Sequence, residues 1–159
     1  MYSMIIVKQS GTVTNNLDLY QRQGSCEDFG YISLQTTSKC LKLYHTEMSW
    51  MTANSTCASA GGKLFGITTA DMFDDVLNVT SRKDPTFQNF FIDGNDIASE
   101  NNWVLSDGTP ILHLPWGKFQ PGLGRDENCL LVIGNFYHDA PCYTMEFKFI
   151  CEKQFIISL

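Results

Sequence analysis

Basic residues are scarce in this sequence. Lysine and arginine number 11 against 17 aspartates and glutamates, which leaves a net charge of −6 on 159 residues. Binding to a phosphate backbone or an anionic membrane surface needs clustered positive charge, so nucleic acid is excluded as a partner. No apolar run approaches the roughly 20 residues that cross a bilayer, so no membrane span is read. Histidine is limited to His45, His113 and His138. No paired zinc histidines, nucleophile elbow or Gly-rich phosphate loop accompanies them, so the chain reads as a binding protein and not an enzyme. No Cys-x-x-Cys pair occurs, which argues against a structural zinc site. Internal repeats and low-complexity segments are also missing.

Apolar and aromatic residues are plentiful. They make up 43% and 13% of the chain, enough at this length for one folded domain with a sizeable core. Six cysteines stand at positions 26, 40, 57, 129, 142 and 151. Their even count and wide spacing predict three disulfides and an oxidising compartment, hence a secreted, extracellular protein. Residue counting leaves the pairing open. Met4-Ile5-Ile6-Val7 is too short for the apolar core of a signal peptide. Residues 1–25 read as an N-terminal arm or linker, 26–153 as the domain, and 154–159 as a C-terminal tail.

Between Cys26 and Cys40, Tyr31, Ile32 and Leu34 predict a strand, and Leu41, Leu43 and Tyr44 a second one. Thr46 reads as a helix N-cap with Glu47 in the first turn. Trp50, Ala53 and Cys57 recur at helical spacing until Gly61-Gly62 stops the helix. Thr68 or Thr69 opens a second helix whose apolar face is Phe73, Val76 and Leu77, with Asp74 and Asp75 on its solvated side, ending near Ser81. Phe90-Phe91-Ile92 reads as a short buried strand. Trp103 to Pro110 reads as a strand, an Asp107-Gly108 turn and another strand. Asn54-Ser55-Thr56 and Asn78-Val79-Thr80 are N-glycosylation sequons, with Asn78 the more accessible of the two.

The last third carries the chemistry. From Trp116 the chain has no hydrophobic period: Gly117, Pro121, Gly122 and Gly124 are turn-formers among polar side chains. Cys129-Leu130-Leu131-Val132-Ile133 then reads as a buried strand stopped by Gly134, and Phe147, Phe149 and Ile150 lead a last strand into Cys151. The result is a long polar loop beside a hairpin, with oxygen-bearing side chains at Gln120, Asp126, Glu127, Asn128 and Asp139. Loops on a rigid scaffold are common places for binding residues.

These features resemble the C-type lectin-like domain over roughly residues 26–153. The matching elements are the Trp50-Ala53-Cys57 helix, Phe91-Ile92-Asp93-Gly94, and the Trp103 to Pro110 run. They continue with the Gln120-Pro121-Gly122 tripeptide, Glu127 before Cys129, and Tyr137-His138-Asp139 before Cys142. The resemblance implies an α+β fold of two helices flanking antiparallel sheets, with a long loop. It also implies the pairs Cys26–Cys40, Cys57–Cys151 and Cys129–Cys142, the first marking the long form of the domain.

In sugar-binding members of that family one calcium ion joins the loop to the strand and to two sugar hydroxyls. Carried over, its ligands are Gln120, Gly122, Glu127, His138 and Asp139. Gly122 has no side-chain oxygen and His138 offers nitrogen, a poor donor for calcium. An accessory calcium site would draw on Asp96, Glu100, Leu123, Glu127 and Asn128, and Leu123 is no ligand. The expected cofactor is thus a calcium ion held weakly or lost. Two functions follow from the resemblance. One is a lectin with a degraded site, leaning to galactose through Gln120; the other is a calcium-independent module for a protein or other non-sugar ligand. Trp116, Phe119, Phe136 and Tyr137 are aromatic candidates for a sugar's apolar face. Assembly of several copies is compatible with either reading.

Overall fold

A computed structural model describes residues 25–122 and 124–155. The expected arm (save Ser25), the end of the expected tail and Leu123 lie outside the described residues. The chain begins with a 3-10 turn, Cys26–Phe29, then β1 (Ile32–Ser33) and β2 (Cys40–Met48). The first helix, α1 (Trp50–Ser59), leads to β3 (Lys63–Leu64) and the second helix, α2 (Ala70–Lys83). The remaining strands are β4 (Asn89–Asn95), β5 (Cys129–Ile133), β6 (Phe136–Ala140) and β7 (Phe147–Lys153). Among the described residues no helix is long and apolar enough to cross a membrane.

The strands form one sheet in the order β1-β2-β7-β4-β5-β6, with β3 also pairing β7. Every pairing is antiparallel except β4 with β7, which makes the sheet mixed rather than purely antiparallel. Its central strands read as continuous apolar runs because both faces are covered. Phe90, Ile92, Leu130, Val132 and Ile150 face one core, together with Phe73, Val76 and Val79 of α2. Phe91, Leu131, Phe149 and Cys151 face the other, together with Trp50, Ala53 and Cys57 of α1. Two-residue alternation thus sends neighbours into opposite cores, one under each helix.

All three expected disulfides are present: Cys26–Cys40, Cys57–Cys151 and Cys129–Cys142. Several local expectations are corrected. Thr46 is not a helix cap, because β2 stays paired with β7 as far as Met48 opposite Phe147. The cap is Ser49, whose side chain accepts from the Thr52 N–H. For α2, Thr69 is the cap, and the helix runs two residues past Ser81 to Lys83. Asp75 is not a free solvated carboxylate: its Oδ2 accepts from the Gln35 N–H at 2.7 Å and the Thr36 N–H at 2.9 Å, holding the β1–β2 turn on α2. The Trp103 to Pro110 segment forms only single bridges, Asn95 with Val104 and Val104 with Pro110. It is anchored by Asp93, which is fully buried and accepts from the Ser106 N–H and hydroxyl. Burial pushes the Asp93 carboxyl above its ordinary range despite those bonds.

Candidate functional site

The long loop leaves the core at Trp116 and returns at Cys129. Its root is a main-chain exchange with β6: the Tyr137 N–H donates to the Pro115 carbonyl at 2.8 Å and the Gly117 N–H to the Tyr137 carbonyl at 2.9 Å. Tyr137 is wholly buried, and its rings stack edge-on with Phe73 and Trp116. Trp116 in turn packs on Trp103. These two aromatics are therefore structural. Phe136 is half exposed, and Phe119 stands 85% exposed.

Beyond the root, the Gln120 N–H donates back to the Gly117 carbonyl at 3.0 Å, closing a turn over Gly117–Gln120. Phe119 sits inside this turn with φ of 64°. A bulky residue in the left-handed region costs about 1–2 kcal/mol. Lys118 Nζ lies 4.9 Å from the Phe119 ring centroid.

The loop tip is clasped to β6 by two reciprocal bonds. Gln120 Oε1 accepts from the Asp139 N–H at 3.1 Å, and Asp139 Oδ1 accepts from the Gly122 N–H at 2.9 Å. Glu127 completes the cluster from the far limb of the loop. A Cβ built on Gly122 would lie 2.6 Å from Glu127 Oε2 and 3.5 Å from Asp139 Oδ1. A Cβ on Gly124 would also meet Glu127 Oε2, at 2.7 Å. The Glu127 carboxylate thus occupies the space that a side chain at position 122 would need. Gln120, Gly122, Glu127 and Asp139 are brought together.

His138 is placed differently. Its Nε2 lies 2.6 Å from the position of a Cβ on Gly117, so the ring rests on the loop root. Among the described residues no three His, Cys, Asp or Glu side chains converge as a metal site. The chain's own oxygens do not fit a calcium cage here. Six to eight oxygens are required, whereas the clasp offers three side chains, two of them already engaged by backbone N–H groups.

A neighbouring depression of about 680 Å³ is lined by Asp96, Glu100, Gly122, Arg125 and Asn128, among others. Asp96 is 3% exposed; its Oδ2 accepts from the Asn101 N–H, and its Oδ1 is buried without a partner. Burial, with a smaller contribution from the Asp139 charge, holds its carboxyl above the ordinary range. Glu100 is exposed, and Asn128 donates to the Arg125 carbonyl. The unpartnered Asp96 oxygen would suit a cation, but the other residues supply too few oxygens beside it for a dedicated site.

The family model described as Lectin C-type domain matches residues 46–153. C-type lectin domain family 3 member A of Bos taurus is 31% identical over 103 residues, 63% of this chain and 52% of that protein. The chain therefore spans about half the length of that relative. The galactose-specific lectin nattectin of Thalassophryne nattereri is 27% identical over 119 residues, covering 73% of this chain and 74% of the lectin. Among solved structures, human lithostathine superposes with a TM-score of 0.70 at 20% identity, over 79% of this chain and 89% of that one.

Proposed function

The chain belongs to the C-type lectin domain family, and from that premise we propose that it is a non-catalytic, extracellular recognition domain that binds carbohydrate weakly at its long loop. The domain is placed at residues 26–153, between an N-terminal arm and a short tail. The convergence of Gln120, Glu127 and Asp139 on Gly122 carries the reading, since it gathers a carboxamide and two carboxylates, that of Asp139 buried and the other two groups half-buried, where the loop tip meets β6. Gln120 gives the tip a galactose leaning, in line with the printed specificity of nattectin. Calcium is not needed to hold the loop, because the clasp is made by direct hydrogen bonds. Mannose binding is disfavoured: a sugar hydroxyl facing Gly122 meets no side-chain oxygen, and an unpaired polar group costs about 1–3 kcal/mol. At about 1.4 kcal/mol per tenfold, that removes up to about a hundredfold in affinity.

Calorimetry with galactose and mannose, with and without chelator, tests the proposal. Weak heat with galactose, lost in Glu127→Ala and Asp139→Ala, is expected. Tight calcium-dependent mannose binding that survives Glu127→Ala would overturn it. The second reading, a calcium-independent module for a protein ligand, is favoured by the same self-satisfied clasp and would appear as galactose silence in both buffers. The oxidising compartment implied by three disulfides also brings the sequons into use. Asn78 is exposed on α2 and Asn54 half-buried on α1, so glycosidase treatment of the native protein should release mass chiefly from Asn78. No mass change would mean that either the compartment or the accessibility argument is wrong.

A further inference from the structure

We infer that an N-glycan on Asn78 folds back onto the protein, its first N-acetylglucosamine packing against Phe136 in the groove between α2 and the β5–β6 hairpin; this rests on the reading that the Asn78 sequon is used. The groove measures about 860 Å³, within the range of about 300–1,000 Å³ that small-ligand sites occupy. One of its walls is α2. Asp74, Asn78 and Ser81 stand at i, i+4 and i+7 on a single helical face, and all three line the groove. The sequon asparagine is therefore part of the wall. Its main-chain carbonyl accepts from the Ser81 hydroxyl at 3.1 Å, whereas its side-chain amide makes no hydrogen bond to a described residue.

The opposite wall is the turn of the β5–β6 hairpin. The Gly134 N–H donates to the Gln88 carbonyl at 2.9 Å, which fixes that turn beside the connection from α2 to β4. Ile133 and Phe136, paired across the end of the hairpin, both line the groove, and Phe136 is 52% exposed. Among the described residues no ammonium and no second aromatic ring stacks on Phe136. A pyranose complements this lining. Its C–H side suits the electron-rich face of the Phe136 ring, and its hydroxyls and acetamide suit Asp74, Gln88 and His113, which also line the groove. The tether selects this occupant over a free one. A sugar joined to Asn78 is confined beside the groove at an effective concentration on the order of millimolar, so contacts too weak to hold a free sugar are made. Attachment comes before folding: Thr80 is buried and its hydroxyl donates to the Val76 carbonyl at 2.8 Å, so the sequon is open only until α2 packs.

The test uses the full chain carrying Asn54→Gln, secreted from a host that attaches high-mannose glycans and trimmed by an endoglycosidase to one N-acetylglucosamine at Asn78. Proton NMR reads the sugar's C–H and acetamide methyl signals, and melting is compared with the chain that also carries Asn78→Gln. Sugar signals should move upfield of their free-sugar positions under the Phe136 ring current. The sugar should also raise the melting temperature by about 2–4 °C. Phe136→Leu keeps an apolar wall but removes the ring; in it the upfield shift should vanish and the melting gain should shrink. Sugar signals at their free positions, with equal melting temperatures, would mean that the glycan projects into solvent and would overturn the inference. A shift that persisted in Phe136→Leu would seat the sugar on another surface and overturn it as well. Self-association of the glycosylated chain that Phe136→Leu abolished would give the groove to a second copy instead. A secreted chain with no sugar mass at Asn78 would overturn the sequon reading and the seat together, whereas mass without a shift overturns the seat alone.

Discussion

At the scale of single residues, glycine 122 decides what the loop can hold. Sequence reading treats it as a missing ligand, and the structure adds that the Glu127 carboxylate lies in its place. Only the flexible end of Glu127 has to move to admit a side chain, so Gly122→Asn should cost less than about 1 kcal/mol. It should also supply the lost oxygen. Calcium titration by calorimetry should show saturable binding in Gly122→Asn where wild type shows none at micromolar concentrations; equal behaviour of the two would mean the absent oxygen is not what weakens the site. A second residue-scale case is Glu27. Its two oxygens accept from the Ser33 N–H at 3.0 Å and the Ser33 hydroxyl at 2.9 Å. These bonds, the backbone one foremost, lower its carboxyl from an ordinary 4.5 to about 2. A depressed carboxyl stabilises the fold fully above its ordinary value and loses that effect as pH falls through its folded one. Amide exchange at Ser33 should therefore speed up as pH drops from about 4.5 towards 2, beyond the intrinsic pH dependence. Glu27→Gln should show no such step.

At the scale of elements, β7 is the strand on which the others depend, and Glu152 is its polar keystone. The side chain is nearly buried between both ends of the chain's first half: Oε2 accepts from Lys39 Nζ at 3.0 Å and from the Gly66 N–H at 2.9 Å, with Lys63 Nζ 3.8 Å from Oε1. Alanine at 152 would leave the buried Gly66 N–H without a partner and Lys39 without its counter-charge, whereas Lys63 would keep Asp107 at 3.4 Å. Urea unfolding should register a loss of about 2–4 kcal/mol for Glu152→Ala. Glu152→Gln, which keeps an acceptor for the Gly66 N–H, should lose roughly half as much. Equal losses would mean that charge, and not the buried amide, sets the cost. The same strand explains why α1 starts late. Pairing of Met48 with Phe147 holds the chain extended, so the first free cap is Ser49.

At the scale of the whole molecule, the disulfides differ in what they close. Cys57–Cys151 spans 94 residues and Cys26–Cys40 only 14. In the chain-entropy account the longer loop contributes about 4–5 kcal/mol and exceeds the shorter by about 1–2 kcal/mol. Replacing Cys57 and Cys151 together by serine should therefore lower the urea-unfolding free energy more than replacing Cys26 and Cys40. A larger loss from the short bridge would show that folded-state contacts, not loop closure, dominate. The long bridge also joins α1 to β7 within one core. The loop site hangs from the opposite edge of the sheet, on β5 and β6, so its clasp can be altered without touching that frame.

Sequence alone determined the frame of this protein. Even, widely spaced cysteines, apolar runs at Phe90–Ile92 and Cys129–Val132, and the helical period of Trp50, Ala53 and Cys57 all act through local pattern or composition. The resemblance drawn from them then supplied the disulfide pairing. Tertiary structure decided the rest, because those outcomes depend on partners distant in the chain. Thr46 looks like a cap until β2 is paired with β7, and Asp75 looks solvated until the β1–β2 turn arrives to donate to it. The Trp103 to Pro110 run alternates like strands, yet the sheet gives it only single bridges. At the site, the resemblance named Gln120, Glu127, His138 and Asp139 as one set. The fold rests His138 on Gly117 and sends Glu127 into the space above Gly122. Both placements follow from two glycines that leave room for a neighbour's side chain, and which side chain enters that room is settled only by the close approach of loop and strand.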